Sequence, residues 1–295
     1  MLSTPNQLIQ QLKVLADLTR MRLIALCRQG ECSVSELTEV TGQSQPRISQ
    51  HLRALCDAGL LLRHRDGKRV FYRVPQRGGD VALREKLLSL VPVDDRVFVD
   101  DWRRLLELRG EFLGRVSNLT DDADREIYRA IIDLTVTTPI GSLLDIGCGR
   151  GQILKLLASR ATRAVGVDID EKARTLARAE LMVAGVSGCS LRKGDMYRLP
   201  FDDHEFDTII LDDVLTTAEL PIRALLEARR LLKPGGRILL LLSIDNGSTD
   251  DSKKALAQWS AAAHLRLAPA RIATPANPRW MLAVATVADS EAEAA

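Results

Sequence analysis

The stretch LLDIGCGRG, Leu143 to Gly151, decides how the second half of this chain folds. It begins apolar, carries a carboxylate at Asp145, and ends in Gly147, Gly149 and Gly151 before a helical pattern opens at Gln152. Glycine lacks a Cβ, so a strand that runs through such a turn into a helix lets backbone approach a ligand closely. Asp168 ends the next apolar run, 23 residues after Asp145. An acid there can bind ribose hydroxyls in the crevice beyond the strand ends of a parallel sheet. The glycines fall as GxGxG, with Gln152 where a nicotinamide fingerprint would place its third glycine.

Outward from this stretch, strands and helices alternate, which implies an α/β unit with a mostly parallel sheet. The pattern predicts strands at Leu143–Ile146, Ala164–Asp168, Ser190–Lys193, Thr208–Leu211 and Arg237–Leu242. A final antiparallel pair is expected at Leu267–Ile272 and Trp280–Val287, with an acidic, Ala-rich, disordered tail from Asp289. Before the sheet, Asp94 to Thr138 reads as charged linker helices with Trp102, Leu105, Leu106 and Leu108 partly buried. The expected organisation is a first domain over 1–92, a helical linker over 93–140, the α/β domain over 141–288 and a tail over 289–295. No internal repeat is present.

The downstream pieces AVGVDID, KGDMYRLPFDDHEFDTIILDDVL and LLKPGGRILLL complete a pattern. From about Ser142 to Val287 the chain resembles the class I S-adenosylmethionine-dependent methyltransferases, which implies their Rossmann-like fold. By that resemblance Asp145 and the Gly147, Gly149 and Gly151 loop hold the methionine part of S-adenosylmethionine or its demethylated product, S-adenosylhomocysteine. Asp168 takes the ribose, Ile169 packs on adenine, and Asp195 with Met196 borders the adenine edge. Leu211 and Asp212 face the methyl-donor pocket. Methyl transfer chiefly requires that acceptor and methyl be brought together and water excluded. A general base is needed only for an acceptor that must lose a proton. Asp212 is the candidate, with Asp213 beside it. No NPPY-type tetrapeptide follows the fourth strand, which disfavours a nucleobase or glutamine nitrogen as acceptor. Arsenite methylation needs several thiolates, and this half has only Cys148 and Cys189.

The first ninety residues are helix-rich. Leu8, Leu12 and Leu15 repeat at helical spacing, as do Leu23, Ile24 and Cys27, and Gly30 ends that second helix. Ser33, with Glu36 three residues on, predicts a capping box for a third helix carrying Val34, Leu37 and Val40. Ser44 is expected to cap a fourth helix, with Pro46 in its first turn and Gly59 at its end. Asp66-Gly67 between two basic, apolar runs predicts a hairpin. Helix, helix, turn, helix and hairpin make a winged helix-turn-helix. Within SQPRISQHLRALCDAGL, Ile48, Leu52 and Leu55 form an inward stripe. Ser44, Gln45, Arg47, Ser49, Gln50 and Arg53 then face outward to read a major groove. Arg63, Arg65, Lys68, Arg69 and Arg73 supply the hairpin with phosphate-binding charge.

With LADLTRMRLIALC and RDGKRVFYRV, that helix makes residues Gln7 to Leu90 resemble the ArsR-type bacterial repressors. The resemblance implies a homodimer built on the first and last helices of the module. It also implies binding to double-stranded operator DNA with an inverted repeat, and repression. Metal-sensing members hold the ion through two cysteines in the third helix. Here the stretch is ECSVSEL, and Ser33 and Ser35 stand where those thiolates would be. A hydroxyl is a poor ligand for a soft metal, so no metal site is expected and Cys32 reads as packing. His51 and His64 read as structural residues or phosphate contacts.

Charge agrees with this division. Residues 1–92 carry 14 Lys/Arg against 8 Asp/Glu, whereas the whole chain has a net charge of only +2. A basic module joined to a mildly acidic one suits a nucleic-acid binder with an attached function. The cysteines are odd in number and scattered, which fits reduced thiols in the cytoplasm. No signal peptide is read at the N-terminus, and Ile238–Leu242 is too short to span a membrane. Two readings follow: a regulator that methylates a small molecule, or an inactive S-adenosylmethionine or S-adenosylhomocysteine sensor that controls operator binding.

Overall fold

Thr4 opens the chain's first helix by a capping box, its hydroxyl accepting from the Gln7 amide while Gln7 accepts from the Thr4 amide. The computed structural model describes residues 4–75, 79–113, 122–136, 138–244, 249–273 and 280–288. The expected tail from Asp289 lies outside them. The chain forms two compact units, Met1–Ser117 with Arg178–Cys189, and Asn118–Ala177 with Ser190–Ala295.

In the first unit α1 (Pro5–Leu15) and α2 (Leu18–Gln29) lead into a short strand β1 (Cys32–Ser33). Then follow α3 (Val34–Thr41), α4 (Gln45–Asp57), β2 (Leu62–Asp66), β3 (Arg69–Arg73), α5 (Val81–Ser89) and α6 (Arg96–Leu113). The Ser33 capping box forms as expected, and Gly42 takes the left-handed conformation that ends α3. Ser44 precedes α4 but makes no side-chain capping bond, so its exposed hydroxyl is left over, contrary to the capping role expected of it. Gly67, with φ +60°, makes the hairpin turn, and the sheet order is β1-β3-β2. Leu23, Ile24, Leu37, Ile48, Leu52, Leu55 and Leu60 fill the core with no exposed surface. Burying each such side chain contributes about 1.5–3 kcal/mol. The segment expected as a linker is divided: α6 belongs to this unit, where Leu105 is fully buried and Asp101 accepts two Arg22 bonds at 2.6 Å.

The second unit contains α7 (Asp122–Val136), β4 (Ser142–Ile146), α8 (Gln152–Leu157) and β5 (Arg163–Asp168). Next come α9 (Glu171–Val183), β6 (Cys189–Lys193), β7 (Phe206–Asp212), α10 (Val214–Thr217) and α11 (Pro221–Leu231). The chain closes with β8 (Leu232–Ser243), α12 (Thr249–Ala262), β9 (Leu265–Leu267), β10 (Arg271–Ala273) and β11 (Trp280–Val287). The break between units falls inside α9, after Ala177. The sheet runs β10-β11-β8-β7-β4-β5-β6, with β9 also on β11. β4 pairs in parallel with β5 and β7, and β7 with β8, while β11 is antiparallel to β8. The expected strand over Leu267–Ile272 is instead two short strands, each pairing with β11. β8 begins five residues before the expected Arg237, at Leu232. Every residue of β4 is buried, as a central strand covered on both faces requires. The chain builds outward from β4 to β5 and β6, then returns to its other side at β7. This reversal opens a crevice beyond the strand ends.

Candidate cofactor cavity and nucleic-acid interface

A cavity of about 540 Å³ lies at that reversal, lined by Gly147, Asp168, Ile169, Asp195 and Met196. Tyr197, Asp212, Asp213, Val214, Thr217 and Glu219 also line it. Positive φ values at Gly147, Gly149 and Gly151 turn the chain sharply after β4. The Gly147 and Cys148 amides donate to the Val167 carbonyl at 2.8 and 2.9 Å. A Cβ on Gly147 would lie 2.8 Å from Val214 Cγ2, so the close approach there leaves room only for glycine. Asp168 Oδ1 accepts from the Asp170 amide at 2.8 Å. Ile169 is 66% exposed, a large apolar side chain on open surface beside the acid.

Asp145 is 1% exposed, and neither carboxylate oxygen has a hydrogen-bond partner among the described residues. Burial, then the nearby Asp212 and Asp168 carboxylates, push its pKa well above the ordinary range. A buried, unpaired acid is costly unless a cation or donor completes it. The ammonium of a bound amino acid would do so, and S-adenosylmethionine carries one. The residues present therefore fit that group.

Not all expected site residues meet the cavity. Asp145, Gly149 and Gly151 are not among its lining residues, though Ile146 and Gly147, which directly follow Asp145, are. Leu211 does not face the pocket: strand alternation turns it fully into the core, and its neighbour Asp212 takes the cavity side. Asp213 holds a left-handed φ of +54° and accepts from Ser243 N and Oγ at 2.8 Å and from Thr216 Oγ1 at 2.9 Å. It is a tether between strand ends. Tyr197, Thr217 and Glu219 were not legible as site residues. They lie in irregular or short helical segments with no periodic signal.

On the first unit, Ile48, Leu52 and Leu55 bury the inner face of α4, and Gln45, Arg47, Ser49, Gln50 and Arg53 are exposed with Ser44. Arg65, Lys68 and Arg69 are exposed on the hairpin, and Arg65 Nε donates to the Gly67 carbonyl at 3.1 Å. His64 takes the structural of its two expected roles. It stacks on Phe71 and sits 3.3 Å from the buried Glu31 carboxylate. Asp66, expected only as a turn residue, is 2% exposed. Ser33 spends its hydroxyl on the α3 cap, Cys32 is fully buried, and no group of three or more metal-ligating side chains occurs among the described residues. Likewise no described helix is long and apolar enough to cross a membrane.

Comparison with known proteins agrees with both halves. Residues 17–61 match the profile described as "Bacterial regulatory protein, arsR family", and residues 144–240 match "Methyltransferase domain". A probable mercury resistance operon repressor of Streptomyces lividans is 40% identical over 86 residues, which span 29% of this chain and 69% of the repressor. An uncharacterized 37.1 kDa protein of a Streptomyces fradiae transposon is 35% identical over 124 residues. That match covers 41% of this chain and only 35% of the transposon protein. The crystal structure of a SAM-dependent methyltransferase from Aquifex aeolicus superposes with a TM-score of 0.49 at 15% identity, covering 62% of this chain and 98% of that one.

Proposed function

Because the chain belongs through its first unit to the arsR family of bacterial regulatory proteins and carries a methyltransferase domain in its second, we propose that it is a cytoplasmic operator-binding repressor that methylates a small molecule. The observation carrying the enzymatic half is the convergence of Asp168, Ile169, Asp195, Met196 and Asp212 on one cavity, with the unpartnered Asp145 just before Ile146 and Gly147 in its wall.

S-adenosylmethionine, when bound, supplies an electrophilic methyl on a sulfonium. Asp145 compensates the ammonium of its amino-acid end, Asp168 accepts from the ribose hydroxyls, and Ile169 covers the adenine. The glycine loop keeps side chains out of the way. Asp212, which lines the cavity at the end of β7, is the base for an acceptor that must lose a proton, with Asp213 tethering the strand ends beside it. Tyr197, Thr217 and Glu219 border the acceptor side.

The regulatory half acts on double-stranded DNA. Arg47, Gln50 and Arg53 of α4 meet base edges, Ser44, Gln45 and Ser49 position the helix, and Arg65, Lys68 and Arg69 grip phosphate. A homodimer reads an inverted repeat. Ile9 and Leu12 on α1, 49% and 43% exposed, and Leu90 after α5, 71% exposed, supply its apolar face.

A sensing role is the second reading. It is favoured by the continuity of α9, one helix on either side of the unit break, which starts three residues after Asp168. Reciprocal linkage then requires that ligand and operator change each other's affinity. Operator binding measured with and without S-adenosylmethionine and S-adenosylhomocysteine, beside a methyl-release assay, decides. Methyl release with unaltered operator affinity supports the enzyme, and ligand-dependent affinity without release supports the sensor. Neither effect sinks both.

A further inference from the structure

Within the first unit, the base of the hairpin is held by an arginine far away in sequence. Arg178, 7% exposed, donates from Nη2 to Asp66 Oδ2 at 2.7 Å and from Nε to Glu31 Oε2 at 3.3 Å. Its guanidinium lies 3.8 Å from the centroid of Phe71, whose other neighbour is the stacked His64 ring. Asp66 ends β2 at the turn, and Phe71 lies in the middle of β3, so one side chain grips both arms of the wing. Arg73 Nε stands 3.8 Å from Glu31 Oε1. Burial alone would raise the Glu31 pKa, but His64, Arg178 and Arg73 bring it below the ordinary range. The backbone of Arg178 is fixed in turn: Arg109 donates to its carbonyl at 3.2 Å, to the Glu31 carbonyl at 2.7 Å and to Glu36 Oε1 at 2.8 Å.

A two-stranded hairpin is marginally stable alone. The exposed Arg65, Lys68 and Arg69 flank the gripped Asp66, so their direction depends on what holds that residue. We propose that Arg178 is a wing-positioning residue for DNA binding, setting the reach of the hairpin's cations from outside the segment that matches the arsR profile. This rests on the reading of the wing as a phosphate-binding element.

The test uses the full chain and a mixed-sequence duplex of about 30 base pairs, followed by fluorescence anisotropy over a salt series. Arg178→Gln is expected to weaken binding about tenfold and to lower the salt slope by about 1 for each phosphate that the wing no longer grips. Asp66→Asn should do the same, and the double variant should be no worse than either alone, as for two partners in one interaction. Arg178→Lys keeps the charge without the planar face over Phe71 and should recover part of the affinity and slope. It also remains informative where Arg178→Gln does not fold. Lys68→Ala separates the readings. If it has no effect, the wing does not touch DNA. If it weakens binding while both Arg178 variants keep wild-type affinity and slope, the positioning role is overturned and the DNA reading stands.

Discussion

Asp168 Oδ2 accepts the Gly149 amide at 2.8 Å, so the acid that ends β5 also holds the glycine loop that follows β4. The residue proposed above to accept from the ribose and the glycine loop after β4 are thus joined through one carboxylate.

Asp168→Ala is therefore expected to weaken S-adenosylmethionine and S-adenosylhomocysteine together, by about 2 kcal/mol or about thirtyfold. Asp195→Ala should cost less, since backbone and stacking also hold the adenine. Calorimetric titration of both ligands against each variant gives the comparison. Wild type that binds neither ligand at millimolar concentration removes the cofactor assignment.

Asp145 makes a prediction about pH. Its pKa is raised in the folded, ligand-free chain, so that state holds the proton to higher pH than the unfolded chain does. The native state then binds more protons, and stability falls as pH rises above about 4. Asp145→Asn should be spared this fall and melt higher near neutral pH, by about 3 °C per kcal/mol regained, while binding S-adenosylmethionine more weakly. Parallel thermal melts of the two proteins from acid to neutral pH check the sign.

Arg47→Ala should weaken operator binding by about 1–3 kcal/mol and relax base preference at the position it reads. Lys68→Ala should weaken every duplex alike and reduce the salt slope by about 1. Competition binding with variant operators distinguishes the two. Unchanged affinity in both folded variants places the DNA surface elsewhere.

The exposed Ile9 and Leu12 should lie in a dimer interface, and Leu12→Glu should produce monomers that lose cooperative operator binding. Sedimentation at micromolar concentration, with a footprint over two half-sites about 10 bp or a multiple apart, checks this. A wild-type monomer counts against it.

Zinc or arsenite should leave operator binding unchanged, because Ser33 caps α3 where a thiolate would be needed. Release accompanied by a stoichiometric bound ion would require another ligand set.

Local order was legible in the sequence wherever one short signal dictated it. The Ser33–Glu36 box, the Gly67 turn and the Ile48, Leu52 and Leu55 stripe all depend on neighbours within a few residues. The chain alone thereby determined a winged helix-turn-helix and a mostly parallel sheet, with Asp145 and Asp168 at strand ends. Tertiary structure decided what depends on distant partners. Strand alternation against β4 and β8 sent Leu211 into the core and Asp212 to the cavity. Ser243, 30 residues on, made Asp213 a tether rather than a free acid. The linker reading of α6 failed because Arg22 and Asp101 pair across 79 residues, and Asp66 looked like a solvated turn residue because Arg178 lies 112 positions away. A charge shows its type in the sequence, but its burial and its partner are set only when the chain folds back on itself.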